Sequence, residues 1–251
     1  NEILTLNLDS NPDYRLLQTT KATDELLIQP ENRFGIIEDK LLEVSYNWKL
    51  PYDVKLTESQ KYLSALGSNH SELINVYSNP AVQYNSIYWA KSFLGINKGE
   101  YEILTSNNSA GPSFWKKHWG LNTSTNNVAE ILRKSGLSLD ELEDILKSVY
   151  VKGSSNIKIA RPQNGNDVCN VDSFTFSPVL TSDVAERLMK FERLRRISKL
   201  SISELDKAIE SFGNVINDEF IIKLASSISL KDLINKPYNQ IIVLCGVNPY
   251  Y

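Results

Sequence analysis

The chain has 251 residues, 41% of them hydrophobic, enough to build a core without help from a metal or a disulfide. Its 30 acidic residues against 27 Lys and Arg give a net charge of -3, which excludes the broad positive field that holds a nucleic-acid backbone. Cys169 and Cys245 cannot form a disulfide framework and stand in no CxxC or Cys/His spacing, so two free thiols are expected.

No apolar run approaches the roughly 20 residues that cross a bilayer, and the first residues lack the layout of a secretory signal. Direct membrane insertion by this segment is not expected. The chain opens in a helix-like apolar run (Ile3, Leu4, Leu6, Leu8) and closes on Ile241 to Leu244 followed by Gly246 and Pro249. Both ends read as cut, so residues 1–251 are expected to be one helical segment of a much larger chain. Residues 9–34 are polar and weakly patterned, the mark of a long connection.

From there a helix-start signal recurs, in which an apolar residue precedes Ser or Asn and an acid follows that cap three places later. Its copies are Ile96-Asn97 with Glu100, Leu137-Ser138 with Glu141, Leu200-Ser201 with Glu204, and Ile228-Ser229 with Asp232. In such a capping box the cap side chain accepts the backbone N–H three residues on, and the acid reaches back to the cap's own N–H. The three Ser copies add the spacing of a hydrophobic staple, at Leu137/Leu142, Leu200/Leu205 and Ile228/Leu233.

Two copies agree further, at one offset of 63 positions. Leu139, Leu142, Ile145, Leu146 and Val149 align with Ile202, Leu205, Ala208, Ile209 and Phe212, and Val128 and Ile131 with Phe191 and Leu194. The repeated unit is a helix, a tight turn closed by a residue such as Gly136, and a second helix. The caps lie 41, 63 and 28 residues apart, which excludes a solenoid of fixed period. The expected fold class is mainly α, irregular stacked helix pairs. Residues 106–126 form a long connection around Phe114, Trp115 and Trp119. Residues 149–178 read as a small β-hairpin insertion, from Val149-Tyr150-Val151, Asn156 to Ile159 and Phe174-Thr175-Phe176.

Catalytic markers are missing: there is no GxSxG, Walker loop, HExxH or GxGxxG. His70 and His118 lack a second ligand at helical spacing and read as surface or interface histidines. Asp140, Glu141, Glu143 and Asp144 cluster where capping and the helix dipole select acids. No catalytic, cofactor-binding or metal-binding residue is assigned, and no enzyme activity is expected. The basic residues Arg187, Lys190, Arg193, Arg195, Arg196 and Lys199 read as a solvated face, or as charges paired with acids of a neighbouring domain or subunit. Tyr84, Tyr88, Trp89, Trp115 and Trp119 suit core packing, or a carbohydrate platform. Asn69, Asn107 and Asn122 head N-x-[ST] triplets, read as chance.

Three stretches resemble a known family: FLGINKGEYEILTS (93–106), VAEILRKSGLSLDELEDIL (128–146) and CNVDSFTFSPVLTSDVAERLMKFERLRRISKLSISELDKAI (169–209). They are similar to the α-helical shell region of insecticidal toxin complex (Tc) A subunits, as is YNWKLPYDVKLTESQKYLSALG (46–67). Gly99 departs from the family's acidic residue, and Ser198-Lys199 from its Gly. The resemblance implies a structural shell segment of a secreted or cell-surface pore-forming translocation subunit that delivers a toxic enzyme. Its implied partners are identical A subunits in a homopentamer, the B–C cocoon, and a host-cell receptor or glycan. The alternative is a stand-alone α-helical protein-interaction module of a bacterial virulence factor.

Overall fold

The computed structural model describes residues 35–46, 48–78, 86–109, 111, 113–162 and 170–245. The packing set out below belongs to the compact unit Glu38–Tyr251. Cys169, Tyr84 and the apolar run at Ile3 to Leu8 lie outside the described residues, whereas Cys245 is a free, exposed thiol.

The fold is mainly α with one small antiparallel sheet. In chain order come α1 (Gly35–Glu43), α2 (Val54–Ala65), α3 (His70–Tyr77), α4 (Ile87–Leu94) and α5 (Lys98–Thr105). A π-helical turn at Trp115–Trp119 leads to α6 (Val128–Ser135), α7 (Leu139–Lys147) and α8 (Val149–Lys152). The strands β1 (Lys158–Ala160) and β2 (Thr175–Ser177) pair in the register Lys158 to Ser177, Ile159 to Phe176 and Ala160 to Thr175. The chain then runs through α9 (Ser182–Ser198), α10 (Ile202–Ser211), α11 (Asp218–Ile234) and α12 (Tyr238–Cys245).

One local turn joins four of the helix pairs. At Gly67, Gly95, Gly136 and Lys199 the backbone is left-handed, with φ of 72°, 72°, 71° and 57°, which ends one helix by the αL route. Two residues later a cap opens the next. Asn69, Asn97, Ser138 and Ser201 each accept the backbone N–H of a Glu three places on: Glu72, Glu100, Glu141 and Glu204. The box closes reciprocally at Asn69, Ser138 and Ser201. At Asn97 it does not, because Glu100 is turned onto Arg193. The first turn, at 67–72, escapes the sequence signal because Ser68 stands where the other copies carry Ile or Leu.

The 63-residue repeat holds in detail. Buried Ser135 and Ser198 each accept the N–H two residues on, from Leu137 at 3.3 Å and Leu200 at 3.4 Å. Leu142 and Ile145 on α7, and Leu205, Ala208 and Ile209 on α10, are fully buried in the core. The match ends at its last position, where Val149 is 45% exposed and Phe212 only 7%.

Two expectations are corrected. Ser229 caps nothing: it lies inside α11, whose cap is Asn217, and Leu233 is exposed rather than stapled. The position two before Ser229 is Ser227, which stays helical, donates to Leu224 O at 2.9 Å and meets Tyr238 Oη at 2.7 Å. Without a left-handed residue there, the helix runs on. Val149-Tyr150-Val151 is α8 and not a strand. Asp206 on α10 accepts the N–H groups of Val149 and Tyr150 at 2.9 and 3.1 Å, and Ser148 Oγ accepts that of Val151. These acceptors satisfy the free donors of a helix start. The strands lie where the later parts of the insertion place them.

Gly99, the departure noted above, has a steric cause. A Cβ there would lie 2.7 Å from Pro51 Cγ and 3.1 Å from its Cβ, so α5 approaches the Pro51 ring only without a side chain. Gly99→Ala is expected to destabilise the chain by about 1–3 kcal/mol, because overpacking outweighs the gain in helix propensity. Urea denaturation measures this, and a stabilised variant would show that the ring yields freely.

Candidate functional site

The chemistry of this chain concentrates on α9. Its apolar side, Val184, Leu188, Phe191 and Leu194, is fully buried, yet so are Glu186, Glu192 and Arg193. Such charges leave water only when paired and hydrogen-bonded. The run from Arg187 to Arg196 is therefore not the solvated face that its sequence suggests. Its charges pair within the chain.

Arg193 makes the longest link. It donates to Glu100 and to Leu50 O, each at 2.7 Å, and to Ser45 O at 2.6 Å, tying α9 to α5 and to the segment after α1. Burial holds the Glu100 carboxyl above its usual range and outweighs the Arg193 charge beside it. Burial likewise lowers Arg193. Glu192, with no exposed side-chain surface, holds both Arg195 and Arg196, at 2.6 and 2.7 Å. Arg195 reaches on to Glu141 at 3.1 Å and Arg196 to Ser135 O at 2.9 Å, so both brace the turn at Gly136.

At the other end of α9, Glu186 accepts the N–H groups of Asn108 and Ser109, each at 2.8 Å, while Lys190 pairs with Glu186 and donates to Ser106 O at 2.6 Å. Burial raises the Glu186 carboxyl, but the bonds from Asn108, Lys190 and Ser109 together bring it down to about 2. One helix thus fixes three separate segments by charge-assisted bonds.

Beside Arg193 opens a cleft of about 320 Å³, lined by Trp48, Pro51, Asn97, Glu100, Arg193 and Arg196. A more polar hollow of about 620 Å³ shares Gly95 and Ile197 with it and is lined by Gln60, Asn69, His70, Phe93 and Lys199 among others.

The aromatic knot lies in the core. Trp119 is fully buried and Trp115 9% exposed, Trp48 packs edge-on against Trp119 with centroids 4.6 Å apart, and Trp48 donates to the His118 carbonyl at 2.9 Å. Trp115 and Trp119 therefore offer no stacking platform to a sugar. His118 is not the surface or interface residue its sequence suggests, being 2% exposed. Burial, then the charges of Lys117 and Arg193, lower its pKa to about 4. His70 is paired with Ser59 Oγ at 3.0 Å.

A buried neutral imidazole gives stability a sign with pH. The folded pKa of His118 lies below its ordinary 6.5, so the unfolded chain takes up the proton first. Its contribution is full above about pH 6.5 and is lost as pH falls toward 4, about 3 kcal/mol in all. Denaturation midpoints across that window are expected to fall, and His118→Phe to flatten the slope. An unchanged slope in the variant would assign the pH dependence to the carboxylates.

The acidic cluster of α7 serves structure. Glu141 closes its capping box and meets Arg195, Asp144 pairs with Lys147 at 3.0 Å, and Glu143 pairs with Arg161. Among the described residues no group of three His, Cys, Asp or Glu is placed to hold a metal ion, and no helix is long and apolar enough to cross a membrane. No family model, curated protein or solved structure matches this chain.

Proposed function

We propose that this chain is a structural segment of a helical shell, as its resemblance to Tc-type A subunits implies. On that reading it would lie in the outer wall of a pentameric translocation subunit that delivers a toxic enzyme. The observation that carries the reading is the bracing of α9, whose buried Arg193, Glu192 and Glu186 tie three separate segments together. A container wall needs helix pairs held at fixed angles, and a buried ion pair penalises any arrangement that separates its partners. The toxin part of the proposal rests on the motifs at 93–106, 128–146 and 169–209.

The test is electron microscopy of the full-length product of the reading frame that contains this chain. Five-fold particles with this segment in an outer wall are the expected result. A small monomeric product would overturn the reading in favour of a stand-alone interaction module of a virulence factor, for which the exposed Tyr62 of α2, Leu66 just after it, and Val76 and Tyr77 of α3 would be the first surface to examine.

A further inference from the structure

The cleft beside Arg193 has the features of a binding site that the bracing role does not need. Arg193 is 1% exposed, and while its two terminal nitrogens bond Glu100, Leu50 O and Ser45 O, its Nε–H finds no acceptor among the described residues. A buried guanidinium N–H without an acceptor is costly to keep. One turn along the same helix, Arg196 gives Nε to Glu192 and one Nη to Ser135 O. Its other Nη has no protein partner among the described residues, and its side chain remains 33% exposed. Both arginines line the cleft, with Trp48, Pro51, Leu56 and Ile197 as its apolar lining and Lys49, Asp53 and Glu100 as its other charged groups.

We propose that this cleft binds a small monocarboxylate with an apolar body, its carboxylate taking N–H donors from Arg193 and Arg196 and its body lying against Trp48 and Leu56. Guanidinium groups present planar donors that match a carboxylate's two oxygens. The charge count selects a monoanion: Lys49, Arg193 and Arg196 against Asp53 and Glu100 leave the lining one net positive charge, which a doubly charged phosphate would exceed. Trp48, Pro51, Leu56 and Ile197 give the cleft an apolar side against which an aromatic or aliphatic body can bury surface.

An NMR titration of the whole 251-residue chain tests this with 3-phenylpropionate, its neutral amide and inorganic phosphate, reading the Arg193 Nε–H and Trp48 Nε1–H signals. Saturable shifts of both signals by the carboxylate are expected, with the amide and phosphate each at least about tenfold weaker. Arg196→Gln is expected to weaken carboxylate binding by about tenfold or more. Leu56→Trp, which fills the cleft from α2 without touching the charge network, is expected to abolish it and stands as the deciding variant if Arg196→Gln does not fold. Equal binding of acid and amide, binding that survives Leu56→Trp, or no saturation up to about 10 mM would each overturn the proposal.

Discussion

Arg193→Met is expected to destabilise the chain by about 3–5 kcal/mol, the range for removing one member of a buried ion pair. Methionine fills much of the same volume, so the loss comes from what remains behind. Glu100, whose side chain is 12% exposed, would lose its counter-charge, and the carbonyls of Ser45 and Leu50 would lose their donor. The carboxyl of Glu100 is already raised by burial with Arg193 in place. Without it, Glu100 would be driven further toward its neutral form, and the variant should be less impaired in mild acid than at neutral pH. The double variant Arg193→Met with Glu100→Leu removes both charges, and part of the loss should return, because well-packed apolar groups often replace a buried pair at little cost. Urea denaturation of the two variants and of Glu100→Leu completes the cycle. A loss below about 1 kcal/mol for Arg193→Met would mean that the pair behaves as a surface one.

The parts of this molecule that were legible in its sequence are those written in local chemistry. A Ser or Asn cap with its acid three residues later is a short-range device, and at Asn97, Ser138 and Ser201 the helix starts where the pattern puts it. The same pattern misled at Ser229, because the cap residues are only half of the signal. The other half is the left-handed residue two places earlier, glycine in three turns and Lys199 in the fourth, and Ser227 does not supply it. That combined pattern also finds the turn at Gly67 and Asn69, where the apolar residue before the cap is absent.

What stayed hidden depends on distance along the chain. Val149-Tyr150-Val151 has the composition of a strand, and only the Asp206 carboxylate, 57 positions from Val149, turns it into a helix start. The charges of α9 read as a wet face because their partners are remote: Glu100 lies 93 positions from Arg193 and Asn108 lies 78 from Glu186. No periodicity within α9 could distinguish an exposed arginine from one that is buried and paired. The cleft is equally invisible in the sequence, since its walls come from the segment around Trp48 and from α2, α5 and α9.

Leu142→Ala and Leu205→Ala are each expected to cost about 2–5 kcal/mol, while Leu233→Ala should stay within about 0.5 kcal/mol. The three leucines stand four residues after a Ser in the same sequence pattern, so the pattern alone assigns them equal weight. Packing separates them. Leu142 and Leu205 have no exposed surface and sit at equivalent places in α7 and α10, whereas Leu233 is 83% exposed near the end of α11. Truncating either buried side chain removes its transfer energy and leaves a cavity between neighbours held in place by the repeated capped turn, so little collapse can offset the loss. Ser138→Ala and Ser201→Ala should cost about 1 kcal/mol each, less than the leucines they position. If Leu233→Ala matched the other two, Ser229 would cap a helix after all. If Leu142→Ala and Leu205→Ala were both near neutral, the faces repeated at an offset of 63 would not be core.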